Sequence, residues 1–110
     1  MDIITLEDFN KVELKVGTII AASPNKKTRI PAYKLKIDFG PLGIKNSSAQ
    51  ITDLYQPNDL VGKQVIAVTN FEPIKVTEIK SEVRILGAET EDGVVLLDLE
   101  RKVPNGSIID

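Results

Sequence analysis

The chain has 110 residues, 42% of them hydrophobic and 27% charged, with a formal net charge of −2, which suits one soluble domain with a single core. It contains no cysteine and no histidine. That excludes disulfides, cysteine-based metal motifs and every Ser–His or Cys–His nucleophile system, and removes the side chain most used as a general base near neutral pH. An enzyme would have to rely on carboxylates, lysine or tyrosine, so composition favours a binding protein over a catalyst, and nothing calls for a cofactor or a metal.

Met1-Asp2-Ile3-Ile4-Thr5 lacks the basic start and long apolar run of a signal peptide. No stretch nears about 18 consecutive apolar residues, so a cytoplasmic location without membrane insertion is expected. Charge is unevenly placed. From Lys15 to Ile37 there are six bases (Lys15, Lys26, Lys27, Arg29, Lys34, Lys36) and no acid, and from Gly87 to Glu100 five acids (Glu89, Glu91, Asp92, Asp98, Glu100) and no base. Such a chain can present a basic face without being basic overall, although lysines that merely solvate a loop and a strand edge would read the same way.

In chain order, Thr5-Leu6-Glu7-Asp8-Phe9 predicts a short helical turn with Thr5 as N-cap and acids in the first turn. A long strand follows, with Val12, Leu14 and Val16 on one parity and Ile19 and Ala21 on the other. Gly17 at the phase change predicts a β-bulge or sharp bend there. Ser23 to Pro31 is a basic loop. Tyr33, Leu35, Ile37 and Phe39 alternate with Lys34, Lys36 and Asp38, the clearest half-buried strand in the chain. Gly40-Pro41-Leu42-Gly43 is a turn, and Ile44 to Ile51 a third, more polar strand. Thr52 to Tyr55 and then Pro57 to Gly62 predict a short helical insert. Gln64 to Phe71 is apolar on both faces and belongs in mid-sheet, and Pro73 to Lys80 is an irregular connection or short strand. Val83 to Leu86 and Val94 to Leu97 form two strands joined across Glu89 to Gly93, with Asp92-Gly93 as the hairpin signal. Val103-Pro104-Asn105-Gly106 is a final turn. Five or six strands with one helical insert after the third predict an all-β, Greek-key barrel, best matched by the five-stranded OB-fold.

Three polar clusters stand where apolar strand residues are expected: Ser47-Ser48-Ala49-Gln50, Asn70-Phe71 and Ser81-Glu82. If buried, each needs an internal partner, since an unpaired buried polar group costs about 1–3 kcal/mol; if exposed together, they form a binding surface. Serines can satisfy neighbouring backbone in a bent strand, so chemistry leaves both readings open. Phe71 is the best candidate for an exposed ring, with a core role equally open. The Glu89, Glu91 and Asp92 cluster lacks the spacing of a calcium loop and reads as a solvated hairpin tip. Nothing brings Asp38 and Asp53 together as an acid–base pair.

Taken in order, Phe9-Asn10-Lys11-Val12-Glu13-Leu14-Lys15-Val16-Gly17-Thr18-Ile19, Ser48-Ala49-Gln50-Ile51, Gly62-Lys63-Gln64-Val65-Ile66-Ala67-Val68, Asn70-Phe71, Ser81-Glu82-Val83 and Val103-Pro104-Asn105-Gly106 resemble the tRNA-binding OB domain family. Arg29-Ile30-Pro31-Ala32-Tyr33-Lys34-Leu35, Ile37-Asp38-Phe39-Gly40 and the Ser47-Ser48 pair resemble its CsaA branch of export-related chaperones. The resemblance spans about Phe9 to Gly106. It implies a non-catalytic OB-fold homodimer over residues 1–110, with barrel core at about 9–106 and dimerisation segments at 1–10 and 100–110. It also implies that unfolded or precursor polypeptides are bound for secretion, with tRNA as the alternative ligand. The residues implied for the binding face are Lys34, Ser48, Gln50, Asn70, Ser81 and Glu82; Ser47, Phe71, Lys36 and Lys75 complete the candidate site, with the lysines favouring acidic or carbonyl-rich stretches. Glu82 is the member most suited to internal bracing. Where relatives commonly carry two prolines and two bases after Asn-Phe, this chain has Glu72-Pro73-Ile74-Lys75, and Glu78 replaces a usual glycine. Trading cations for anions weakens phosphate contacts and tilts the expected ligand toward polypeptide.

Overall fold

The computed structural model describes residues 1–76 and 79–110, which leaves Glu78 outside the described residues. The N-terminal helix α1, Leu6–Asn10, is capped as its sequence predicts: the Thr5 hydroxyl accepts the Asp8 N–H at 3.0 Å and the Asp8 carboxylate reaches back to the Thr5 N–H. The strands are β1 (Leu14–Pro24), β2 (Tyr33–Asp38), β3 (Ile44–Ala49), β4 (Gln64–Val68), β5 (Ile74–Val76), β6 (Ile79–Ser81), β7 (Arg84–Ile85), β8 (Gly87–Thr90), β9 (Gly93–Leu96) and β10 (Ile108–Ile109). A 3₁₀ turn covers Gly40–Leu42, and the one-turn helix α2, Pro57–Leu60, lies between β3 and β4. The main sheet runs β3-β2-β1-β4-β7, with β10 also paired to β1, and curls into a nearly closed antiparallel barrel of the OB type.

The β2 alternation holds: Tyr33, Leu35, Ile37 and Phe39 are buried while Lys34 and Lys36 are exposed. β4 is buried from Val65 to Val68 because β1 and β7 flank it on both edges, as its two-sided apolar sequence predicts. Two phenols tie outlying pieces to the core. The Tyr33 hydroxyl donates to the Tyr55 carbonyl at 2.6 Å, and the Tyr55 hydroxyl accepts the Leu96 N–H at 3.0 Å.

Gly17 plays a different part from the one its sequence context predicts. The register shift in β1 falls between Ile19 and Ala21, so the bulged residue is Ile20. Gly17 instead makes room: a Cβ there would come within 2.6 Å of Ile37 Cγ2 and 2.8 Å of the Phe39 ring. The phase change therefore combines a bulge with a close approach three residues earlier. The hairpin also differs from expectation. Its first strand is Gly87–Thr90, with Glu89 opposite Val94 and Thr90 opposite Gly93, while Arg84 and Ile85 pair with β4.

The C-terminal segment is stitched into the sheet. The Gly106 N–H donates to the Val16 carbonyl at 2.7 Å and the Val16 N–H to the Ser107 carbonyl at 3.0 Å. Asn105 Oδ1 accepts from Thr18 Oγ1 at 2.7 Å and from Gln64 Nε2 at 3.2 Å. The turns at Gly40 and Gly106 pack backbone to backbone, both with positive φ (66° and 90°), and a Cβ on Gly40 would fall 2.5 Å from the Asn105 carbonyl oxygen.

The barrel closes along a seam between β3 and the segment joining β6 to β7, and two of the sequence's polar clusters form it. The Glu82 N–H donates to the Asn46 carbonyl at 2.9 Å, the Asn46 N–H donates to Glu82 Oε1 at 3.0 Å, and the Ser48 N–H donates to Ser81 Oγ at 3.1 Å. Ser47, buried, donates from Oγ to the Val83 carbonyl at 2.9 Å. Lys45 Nζ lies 4.0 Å from Glu82 Oε2. Side-chain oxygens thus stand where carbonyls of a regular ladder would. Here the chain bends from pairing with β5 to pairing with β4, and the side-chain acceptors keep the β3 amides satisfied across the bend.

Two measurements follow from this packing. Gly17→Ala should lower the urea unfolding midpoint by an amount equivalent to about 1–3 kcal/mol, because Ile37 and Phe39 must move to admit one methyl. In amide hydrogen exchange, Glu82→Ala should speed exchange at Asn46 by removing its acceptor, whereas Glu82→Gln, which keeps an oxygen there, should largely preserve protection.

Candidate binding site

The seam holds at Asn46 and Ser48 and then ends. Alternation along β3 turns the main chain of Asn46 and Ser48 toward the seam, and Gln50 follows just past the strand. On the other strand, the Leu86 N–H bonds the Ile66 carbonyl, so Ile85, one residue earlier and opposite Ala67, directs its main chain away from β4. Beside the end of this seam lies a groove of about 750 Å³, bordered by Ser48 and Gln50 on one side of the chain contact and by Ser81 to Leu86 on the other. Its apolar lining is Ile51, Val83, Ile85, Leu86, Val94 and Leu96, with Phe71, Pro73 and Ile74 forming one flank. The β8–β9 hairpin contributes Gly87, Glu89, Val94 and Leu96, which share one face because Gly87 pairs with Leu96 and Glu89 with Val94. This volume falls within the range of preformed ligand sites, and so does its mix of apolar wall and few polar groups.

The ten candidate site residues separate into distinct groups. Ser48, Gln50, Phe71, Ser81 and Glu82 line the groove. Ser81 Oγ and Glu82 Oε1 are at the same time engaged in the seam, so the bracing expected of Glu82 and its place in the groove coexist. Phe71 is 52% exposed, the open-ring alternative of the two considered. Ser47 points inward, its hydroxyl held by Val83. Asn70 serves a clamp elsewhere: its Oδ1 accepts the Glu13 N–H at 2.9 Å and its Nδ2 donates to the Lys11 carbonyl at 2.7 Å, fixing the entry to β1. Lys34 and Lys36 stand exposed on the outer face of β2, opposite Ser48 and Asn46, and Lys75 is exposed on β5. None of these three lysines lines the groove.

Residues that the sequence did not mark as site members complete the groove, chiefly Ile85, Leu86, Arg84 and Glu89. The sequence pattern places Glu89 in the connection Glu89 to Gly93, whereas the hairpin loop is only Glu91-Asp92, with Gly93 at φ 137° paired to Thr90 and Glu89 to Val94. A second, shallower cleft of about 370 Å³ lies in the basic loop among Pro24, Lys26, Thr28, Arg29, Pro31 and Thr52. Among the described residues, no group of three or more His, Cys, Asp or Glu side chains could hold a metal ion, and no helix is long and apolar enough to cross a membrane.

Comparison with known proteins places this geometry. Residues 14–108 match the family described as putative tRNA binding domain. The chain is similar to the crystal structure of chaperone CsaA from Bacillus anthracis, with 46% identity and a TM-score of 0.93 over 99% of this chain and 100% of that one. It is equally close in fold to the CsaA chaperone protein from Picrophilus torridus, at 48% identity and a TM-score of 0.93 over 98% and 100% of the two chains. It is also 37% identical over 108 residues to the methionine–tRNA ligase of Halalkalibacterium halodurans, a match covering 98% of this chain but 16% of the ligase. The chain thus spans about a sixth of the curated relatives it matches. By family match, sequence and fold together, this protein belongs to the putative tRNA binding domain family and is of its CsaA type.

Proposed function

We propose that the protein is a chaperone-like binding protein that takes extended segments of unfolded or precursor polypeptide in the groove where the barrel seam ends. The observation that carries this reading is the groove itself: the edge of β3 as it ends before Gln50 and the β7 edge at Ile85 border an apolar cleft. An extended segment satisfies such edges through main-chain hydrogen bonds, which are independent of client sequence, while the apolar lining holds its alternate side chains. The Ser48 hydroxyl adds a polar contact, and Phe71 supplies a half-open aromatic wall. Binding of this kind needs neither a cofactor nor a covalent step. The relatives named as CsaA chaperones support the same reading, with secretion in a cytoplasmic setting as its context.

A second reading, tRNA binding, is favoured by the outer face of β2 and the adjoining loop, where Lys26, Arg29, Lys34 and Lys36 are exposed, and by the family's description. The two readings use different surfaces. Phe71→Ser should weaken binding of a fluorescently labelled unfolded polypeptide by about tenfold, as expected for an aromatic wall contact, and leave tRNA binding intact. A Lys34→Ala/Lys36→Ala double variant should do the reverse, with tRNA affinity falling steeply between low and physiological salt. Salt-tolerant tRNA binding abolished by Phe71→Ser would overturn the polypeptide assignment of the groove.

We also propose a homodimer built on the N-terminal segment. Helix α1 has no buried residue, and Ile3, Ile4, Leu6 and Ile108 are each more than half exposed, an apolar surface that a second copy would cover. Because residues 103–109 are stitched to β1, point substitution tests this better than truncation of the C-terminus. Leu6→Glu should convert a dimer to a monomer in sedimentation velocity without altering the far-UV spectrum. A native chain that sediments as a monomer at micromolar concentration would refute the dimer.

A further inference from the structure

The groove's charge has the opposite sign to the lysine-bearing face of β2. Among the described residues, the ionisable side chains that line it are Glu72, Glu82, Glu89 and Arg84. Three carboxylates against one guanidinium leave a formal charge of −2 around an otherwise apolar cleft. Glu82 is partly offset by Lys45 at 4.0 Å, but neither Glu72 nor Glu89 has an ion pair or hydrogen bond among the described residues. The lysines expected to draw acidic clients, Lys34, Lys36 and Lys75, are not among the lining residues.

From this we infer that the groove selects polypeptide segments in which a lysine or arginine sits among apolar residues, and rejects acidic ones. The inference rests on the polypeptide reading above and specifies its client class. Three features point the same way. Glu72 is next to Phe71, so a carboxylate and a half-exposed ring border the same cleft; a cation over a ring face gains from the ring quadrupole, and a carboxylate within reach adds to it. Glu89 borders the same cleft from the hairpin, in the same face as Val94 and Leu96, so a basic side chain and its apolar neighbours find complementary surface along one segment. Apolar walls lower the local dielectric and strengthen each charge contact relative to open water. The same field excludes phosphate, so the nucleic-acid backbone is directed to the outer face of β2 and away from this cleft.

The test uses the full chain and three labelled peptides of identical alternating Leu/Val pattern, differing only in a central Lys, Gln or Glu, with binding read by fluorescence anisotropy. The expected order is Lys tightest, Gln intermediate and Glu weakest, with about a tenfold span between the ends at low salt, compressed at physiological salt. A Glu72→Gln/Glu89→Gln variant, both side chains being on exposed residues, should flatten the series while still binding the Gln peptide; Arg84→Gln should widen it. Equal binding of the Lys and Glu peptides, or preference for Glu, would overturn the charge assignment while leaving polypeptide binding in place. Binding of none of the three would overturn the polypeptide reading and this inference with it.

Discussion

Closure of the barrel turns on one short seam. In so small a barrel, β3 must meet a chain segment that is itself turning from the β5–β6 hairpin toward β4. A continuous backbone ladder cannot follow that bend. Ser81 and Glu82 solve the problem by offering side-chain oxygens to the amides of Ser48 and Asn46, and Ser47 answers from the other side by donating into the Val83 carbonyl. Each of these groups would otherwise be an unsatisfied polar atom at a strand edge, at a cost large relative to the few kcal/mol that hold a domain of this size together.

The same device explains the groove. Side-chain acceptors reach only as far as the residues that carry them; the last bond of the seam is at Ser48, and Gln50 and Ile85 border the groove beside it. Sealing and opening are two ends of a single strand contact. The β8–β9 hairpin then walls the opening with Glu89, Val94 and Leu96, anchored by the Tyr55 hydroxyl on the Leu96 amide. Charge is sorted accordingly. Bases occupy the outer face of β2 and its loop, and acids border the cleft, so one nearly neutral chain offers two surfaces of opposite sign.

Much of the fold was legible because strict periodicity has one physical reading. Tyr33 to Phe39 could only be a half-buried strand, and residues 65–68, apolar on both faces, could only be central. Thr5 as N-cap with acids in the first turn marked the first helix. Gly17 was less transparent: a glycine at a phase change is consistent with a bulge, but it was needed for the space that Phe39 fills, while the bulge fell on Ile20. Asn70 shows the limit from the polar side. The resemblance implied a ligand contact for it, and in the structure its side chain bonds the main chain of Lys11 and Glu13, 59 and 57 residues away.

By itself, the sequence determined the barrel class, several of the strands and the family. Absent cysteine and histidine exclude the nucleophile systems and metal motifs that need them, local alternation sets which face of a strand is buried, and a run of distinctive words marks the family. What the tertiary structure alone decided was the allocation of the polar residues: Ser47 and Asn70 to bracing, Ser48, Gln50 and Phe71 to the groove, Ser81 and Glu82 to both. It also decided the groove's sign, by bringing Glu72, Glu82 and Glu89 to one cleft and leaving the lysines outside it. The reason is physical. Burial along a strand is a local property with a period of two, whereas a hydrogen-bond partner or a charge neighbour across a seam depends on registers set by contacts tens of residues apart.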